Sequence, residues 1–243
     1  MSRTVVTFDG HELTRLFAVS NLQNSLLPRT LNTVDVPGRD GSLFLGASLV
    51  GRTIKLTLTV RDKTVSGLQT ASRTLAAILN VSEPKPLSMS IDGGLYYMAI
   101  PNAQADGTRY RNAITYDVEF LCADPVAYGV EQTITVPSGG SITFEVDGTY
   151  PTAPQVSAAA ARNGSGGCWK LTLDNDEYLA ATIPSGVTTA PVEIDCTART
   201  LMVNGSVTLL QPEADWLVFE PGEHTLSMTG TGQAIVTYAE RWL

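Results

Sequence analysis

Between residues 114 and 129 the sequence reads as a strand that cannot continue. Ile114, Tyr116, Val118 and Phe120 alternate with Thr115, Asp117 and Glu119, the period-two pattern of a strand with one buried face. Pro125 then removes a ladder donor and restricts Asp124, and Gly129 adds a residue free of Cβ constraints. A core strand therefore ends in a rigid turn near the middle of the chain. We read Asp124, Pro125, Tyr128 and Gly129 as an interdomain elbow. Residues 1–129 then form one domain and residues 130–243 another. Phe120 and Tyr116 are expected to be buried in the first, with Pro125 stiffening the exit.

Charge divides the chain at the same place. Residues 1–129 carry 12 Lys/Arg against 11 Asp/Glu, whereas residues 130–243 carry 4 against 13, for a net charge of −8. An acidic, lysine-poor half gives no footing for a phosphate backbone, so specific nucleic-acid binding is not expected. No apolar run is long enough for a bilayer, so membrane insertion is not expected, and the first residues lack the pattern of a signal peptide. The three cysteines, Cys122, Cys168 and Cys196, are an odd number without a Cys-x-x-Cys pair. We expect reduced thiols in a protein made in the cytoplasm, with a Cys168–Cys196 bridge as the alternative.

The first half is β-rich with one helix. Residues 4–8 read as a strand turned at Asp9-Gly10, followed by a strand around Leu13–Val19 and a polar, irregular stretch from Asn21 to Thr33. Val36-Pro37-Gly38-Arg39-Asp40-Gly41 is a dense turn signal. Beyond it, Ile54, Leu56, Leu58 and Val60 alternate with Lys55, Thr57 and Thr59. A helix over about 64–80 follows from Val65, Leu68, Ser72, Leu75, Ala76 and Leu79, spaced by threes and fours. Asp62 or Thr64 caps its start, and Asn80, Pro84 and Pro86 end it. Leu87–Ile91 and Leu95–Ile100 flank Asp92-Gly93-Gly94 as a hairpin, and a polar loop runs from Asn102 to Asn112.

The second half is broken into short Thr- and Val-rich segments, from Gln132–Val136 to Ala234–Ala239, separated by Gly, Asn, Asp and Pro turns. Many short strands without helical periodicity predict a β-sandwich or jelly roll. Thr200–Leu210, turning at Asn204-Gly205, is the clearest hairpin, and Trp216–Phe219 reads as a core strand.

No catalytic constellation emerges. His11 and His224 have no Gly-x-Ser-x-Gly elbow beside them, and we read both as turn or strand-edge residues. Residues 163–167 are glycine-rich, but no lysine and no helix follow, so they read as a flexible loop and not a phosphate cradle. Asp174, Asp176 and Glu177 could offer oxygen to Ca²⁺, but Tyr178 stands where a ligand is needed, and a solvated turn is the preferred reading. Neither a metal nor a cofactor is expected.

The order of several motifs resembles the distal tail protein family of long, flexible-tailed bacteriophages. These are the Val36–Gly41 turn ahead of a strand opening Arg52-Thr53-Ile54, the Phe120–Gly129 segment, the Ile194-Asp195 strand, the Met202–Gly205 hairpin, the Pro221-Gly222 turn and the closing Tyr238–Leu243. The resemblance covers nearly the whole chain. It implies a mainly β protein: an N-terminal ring-forming belt domain with one α-helix, then a galectin-like or carbohydrate-module-like sandwich. It also implies a homo-hexameric ring at the virion tail tip, made and assembled in the host bacterial cytoplasm. The ring would join the tail tube protein to the tail-associated fibre or lysin protein, with receptor-binding protein at its periphery, and would not be an enzyme. Pro37, Gly38, Arg39, Asp40, Gly41, Arg52 and Arg61 become candidates for subunit or tube contacts, against the alternative of a solvated turn. An alternative function is a host-surface adhesin that binds glycan on Trp169, Tyr178 or Trp216, and a hydrolase is the third reading.

Overall fold

Asp9 and Gly10 take φ of 48° and 74° and fold β1 (Val6–Phe8) back on β2 (His11–Glu12). The computed structural model describes residues 4–24, 26, 29–102, 107–161, 168–174 and 176–243. The strand expected around Leu13–Val19 is instead a 3-10 turn, Leu13–Arg15, with β3 (Ala18–Asn24) beginning after it. Leu13 and Phe17 are buried while Leu16 faces water. A spacing of four between the buried residues suits a helical turn, not a strand. β4 (Arg29–Asp35) and β5 (Ser42–Leu49) come next, so much of the stretch from Asn21 to Thr33 is extended strand and not irregular.

The first core is built on β6 (Arg52–Arg61). Its Ile54, Leu56, Leu58 and Val60 are all buried, as the alternation requires. The helix α1 (Val65–Leu79) starts where Thr64 accepts a hydrogen bond from the Gly67 N–H at 3.0 Å, with Asp62 in turn accepting from the Thr64 N–H at 2.7 Å. Its buried stripe is narrower than the sequence suggests: Leu68 and Leu75 are covered, while Val65 is half exposed. β7 (Lys85–Met89) and β8 (Tyr96–Pro101) form the expected hairpin, and β9 (Gly107–Tyr110) occupies part of the expected polar loop. β10 (Ala113–Cys122) pairs with β6 over ten residues, setting Phe120 opposite Ile54 and Tyr116 opposite Leu58. Phe120 is fully buried, 4.9 Å from the Phe8 ring. Tyr116 is only partly covered, because its hydroxyl reaches out to donate to Ser72 of α1.

The chain divides into two compact units, Met1–Tyr128 with Leu243 and Gly129–Trp242. The bend over residues 123–126 is short, and β11 (Ala127–Val136) starts at once beyond it. Asp124 accepts from the Tyr128 hydroxyl at 2.5 Å. Gly129 lies inside β11, where a Cβ would come within 3.1 Å of Glu240 Oε2 and 3.2 Å of its Cβ. Its role there is close approach, and it does not end the segment.

The second unit is a sandwich. Its strands are β12 (Ser141–Val146), β13 (Gln155–Ala161), β14 (Cys168–Leu173), β15 (Glu177–Thr182), β16 (Thr189–Asp195), β17 (Thr200–Val203), β18 (Ser206–Thr208), β19 (Gly222–Thr229) and β20 (Ala234–Trp242). One layer runs β18-β17-β16-β13-β20-β11 and the other β12-β19-β14-β15. Period-two alternation on β13 and β16 turns Val156, Ala158, Val192 and Ile194 inward. Trp169, Leu171, Phe219 and Met228 belong to the same core. Asn204 and Gly205, with φ of 53° and 73°, make the hairpin turn that matches strand twist. Trp216–Phe219 is not a strand: Phe219 alone bridges Thr152, and Leu217 and Phe219 fill the core. The loop read at residues 163–167 lies outside the described residues.

All three tryptophans, Trp169, Trp216 and Trp242, lie in the second unit. Phe120 is fully buried in the first unit, so Phe120→Ala should destabilise that unit by about 3–5 kcal/mol. In urea, the first unit's share of the far-ultraviolet circular dichroism change should move to lower concentration while the tryptophan fluorescence transition stays in place. A fluorescence transition that moves equally would show that the two units unfold as one.

Candidate assembly surface

β4 and β5 pair with each other and, among the described residues, with no other strand. All seven residues of β4 are exposed, and β5 has no fully buried residue. The register runs from Arg29 opposite Leu49 to Asp35 opposite Ser42, with Leu45 the extra residue where it shifts. At the tip the Arg39 N–H donates to the Val36 carbonyl at 3.2 Å, and Gly38 takes φ of 82°. Pro37 followed by a positive-φ glycine is the signature of a type II turn. Pro37, Gly38, Arg39, Asp40 and Gly41 are all exposed there. This arm carries Leu31, Val34, Phe44 and Leu45 at 63, 44, 64 and 68% exposure. Isolated two-stranded hairpins are marginal in water, and exposed apolar strand edges are templates for pairing. Such a surface suits a partner better than it suits solvent.

The other candidates fall in different places. Arg61 is exposed at the end of β6 beside a shallow depression lined by Leu16, Phe17, Ala18, Ser20 and Thr59. Arg52 is 3% exposed, so its guanidinium has no surface to give a neighbouring molecule. Trp169 is fully buried, and its Nε1–H donates to Met228 Sδ at 3.2 Å. A sugar-stacking platform needs an open ring face, so Trp169 leaves that set. The Tyr178 ring is covered by the Lys170 ammonium, 3.5 Å from its centroid, and Trp216 is half-buried against the core. A groove of about 380 Å³ on one face of the larger layer is lined by Gln155, Ser157, Glu193, Asp195, Thr200 and Thr237, with no aromatic ring. The three cysteines are free. Burial pushes the Cys122 thiol up to about 11 and the Cys196 thiol up to about 12, which makes both poor nucleophiles.

The arm is what the sequence reading missed. A signal was present: segments of similar length flank the Pro37–Gly41 turn, and β-branched Thr30, Thr33 and Val34 favour extended backbone. Alternation gives no help when neither face is buried within the chain.

His224 sits in a polar cluster of the second unit. Its Nδ1 meets Asp174 Oδ2 at 2.7 Å and its Nε2 meets the Glu220 carbonyl at 2.6 Å. Asp174 Oδ1 accepts from the Thr225 N–H at 2.7 Å. Both ring nitrogens thus face acceptors, an arrangement that favours the doubly protonated ring. The Asp174 oxygens are engaged by β19, and Asn175, between Asp174 and Asp176 in the turn read as solvated, lies outside the described residues.

Comparison with known proteins decides the family. A family model of phage tail protein RIFT-related domains matches residues 10–122, and one of the C-terminal domain of siphovirus-type tail components matches residues 147–242. The chain belongs to the siphophage distal tail protein family. It is a structural component of the phage tail and hence of the virion. The solved distal tail protein of phage SPP1, described as a paradigm of the hub adsorption apparatus of phages infecting Gram-positive bacteria, matches over 100% of both chains. The TM-score is 0.81 and the identity 21%. A chain of the phage P2 baseplate, in its activated conformation with Ca, matches over 98% of each chain at TM-score 0.54 and 9% identity. At these identities the likeness shows the fold, which is mainly β with one helix. No curated protein matches the chain at a significant level.

The His224 cluster should make the stability of this tail protein's second unit depend on pH. Burial alone would lower the His224 pKa, but the hydrogen bonds to Asp174 and the Glu220 carbonyl and the charges of Asp174 and Glu220 raise it above its ordinary 6.5. Burial works to raise the Asp174 pKa, and the His224 and Thr225 hydrogen bonds together with the His224 charge bring it below 3.8. A raised histidine pKa stabilises fully below 6.5, and that contribution fades as pH rises through the folded value. A lowered carboxylate pKa stabilises above 3.8 and fades as pH falls through its own folded value. The second unit should be most urea-resistant between these limits and lose resistance as pH rises through the raised His224 pKa. His224→Gln should flatten the alkaline decline, measured by tryptophan fluorescence; an unchanged decline would exclude His224 as its source.

Proposed function

We propose that the chain is a hub of the tail tip, six copies closing into a ring that joins the tail tube protein to the tail-associated fibre or lysin protein. Receptor-binding protein attaches to the same hub, and assembly takes place in the host cytoplasm. The observation that carries this reading is the β4–β5 arm, an extended apolar surface with no partner of its own among the described residues. A closed ring requires one surface of each subunit to meet a different surface of the next, with a rotation that closes. The arm supplies one such surface, and the Pro37–Gly41 tip with Arg39 and Asp40 supplies its polar end.

Residues 1–129 supply the ring-forming domain and residues 130–243 the attached sandwich. The role proposed is structural, with no chemical step. The acidic balance of the second part disfavours contact with nucleic acid.

Native mass spectrometry of the full chain should find a species of about six times the 25.9 kDa chain mass. Leu31→Ser combined with Phe44→Ser should return the chain to a single-copy mass without lowering its melting temperature, because both side chains face water. Wild type at single-copy mass at every concentration would overturn assembly by the chain alone. A double variant that still assembles would move the contact off the arm.

A further inference from the structure

Arg52 opens β6 and is nearly fully buried. Its Nη1 donates to the Tyr97 hydroxyl at 3.0 Å and to Asn24 Oδ1 at 3.3 Å, and its Nη2 donates to the Leu26 carbonyl at 3.3 Å. The Asn24 amide closes the set by donating to the same Tyr97 hydroxyl at 3.2 Å. The Leu26 side chain is 85% exposed, so its carbonyl is drawn inward while its side chain stays in water. Asn24 is the last residue of β3 and Arg29 the first of β4. The guanidinium therefore grips the chain at two points on the path that leads into the arm.

Filling space does not explain this residue. A buried guanidinium carries a heavy desolvation cost, and a core that needed only volume would be as well served by Met or Leu. What Arg adds is a planar fork whose two terminal nitrogens hold three acceptors in a fixed arrangement. The cost is visible locally. Among the described residues, Arg52 Nε and Asp92 Oδ2 are buried without hydrogen bonds. Burial pushes the Asp92 carboxyl up, and the Arg52 charge draws it part of the way back.

We propose that Arg52 is a positioning residue for assembly: its guanidinium fixes the direction in which the β4–β5 arm leaves the β6 sheet. The arm then meets a neighbouring copy in one geometry. This rests on the reading of the arm as the contact surface. A ring closes only if each step repeats the same rotation, so an arm free to swing gives open chains and mixed sizes.

The test is pulsed electron resonance on nitroxide pairs in the full chain with Cys168→Ser, carrying Leu31→Ser and Phe44→Ser so that arm mobility is read without the proposed contact. One pair joins Arg39 at the arm tip to Ala77 on α1. The control pair joins Ala77 to Asp117 on β10. Arg52→Lys keeps the charge but loses the fork, and Asn24→Ala removes one acceptor at the exposed side should a buried lysine unfold the unit. Each should widen the Arg39–Ala77 distance distribution roughly twofold while the control pair stays narrow. Equal widening of both pairs would make Arg52 an ordinary core residue, and no widening of either would remove the clamp. In the otherwise wild-type chain, Arg52→Lys should spread the assembly masses over several sizes. A wild-type chain that never assembles would overturn the contact reading and leave the clamp to be decided by the distances.

Discussion

A hairpin that buries none of one strand gains little packing from the described residues of its own chain. The β4–β5 arm has backbone pairing between its two strands and little else, yet it carries Leu31, Val34, Phe44 and Leu45 outward. Ordering about fifteen residues costs conformational entropy that two short strands repay poorly. The constraint has two consequences in the structure. The outer face needs a partner, which a neighbouring copy provides in the proposed ring. The root needs an anchor, which Arg52 provides with its fork onto Asn24, Leu26 and Tyr97.

The two units divide the physical work. The first buries a sheet and one helix around Phe8, Phe120 and the alternating face of β6, and it is nearly neutral in charge. A near-neutral surface does not repel copies of itself. The second unit is self-sufficient: its two layers close over Trp169 and Phe219, and its polar cluster at His224 ties β19 to Asp174. Its acidic excess favours solubility and discourages adhesion to nucleic acid. On the proposed reading, this chain combines a part that needs neighbours with a part that does not.

Much of the fold was legible because burial imposes a period. Wherever one face is covered, as on β6, β10, β13 and β16, alternation names the strand and its inward residues. Turn chemistry was equally readable at Asp9-Gly10, Pro37-Gly38 and Asn204-Gly205. Two of the failures come where no period is visible. Leu13 and Phe17 are buried by a single 3-10 turn too short to show a helical pattern. β4 has no buried face in its own chain, so no period marks it. Alternation does place Arg52 in phase with Ile54, Leu56 and Leu58, and Trp169 in phase with Leu171 and Leu173, on the buried faces; only their residue types, a charged and an amphipathic side chain, point to the surface. Burial of Arg52 depends on Tyr97, Asn24 and the Leu26 carbonyl, brought together only by tertiary folding. The candidate surface was therefore legible at its tip, where local chemistry governs, and not along its length.

Hydrogen–deuterium exchange on the assembled chain, compared with the same chain diluted to single copies, addresses the central claim most directly. The account predicts that amides of Arg29–Asp35 and Ser42–Leu49 gain protection on assembly, while those of β6 and β10, already inside a core, change little. Arm amides that exchange equally fast in the assembled and dilute states, with new protection confined to the sandwich, would contradict it.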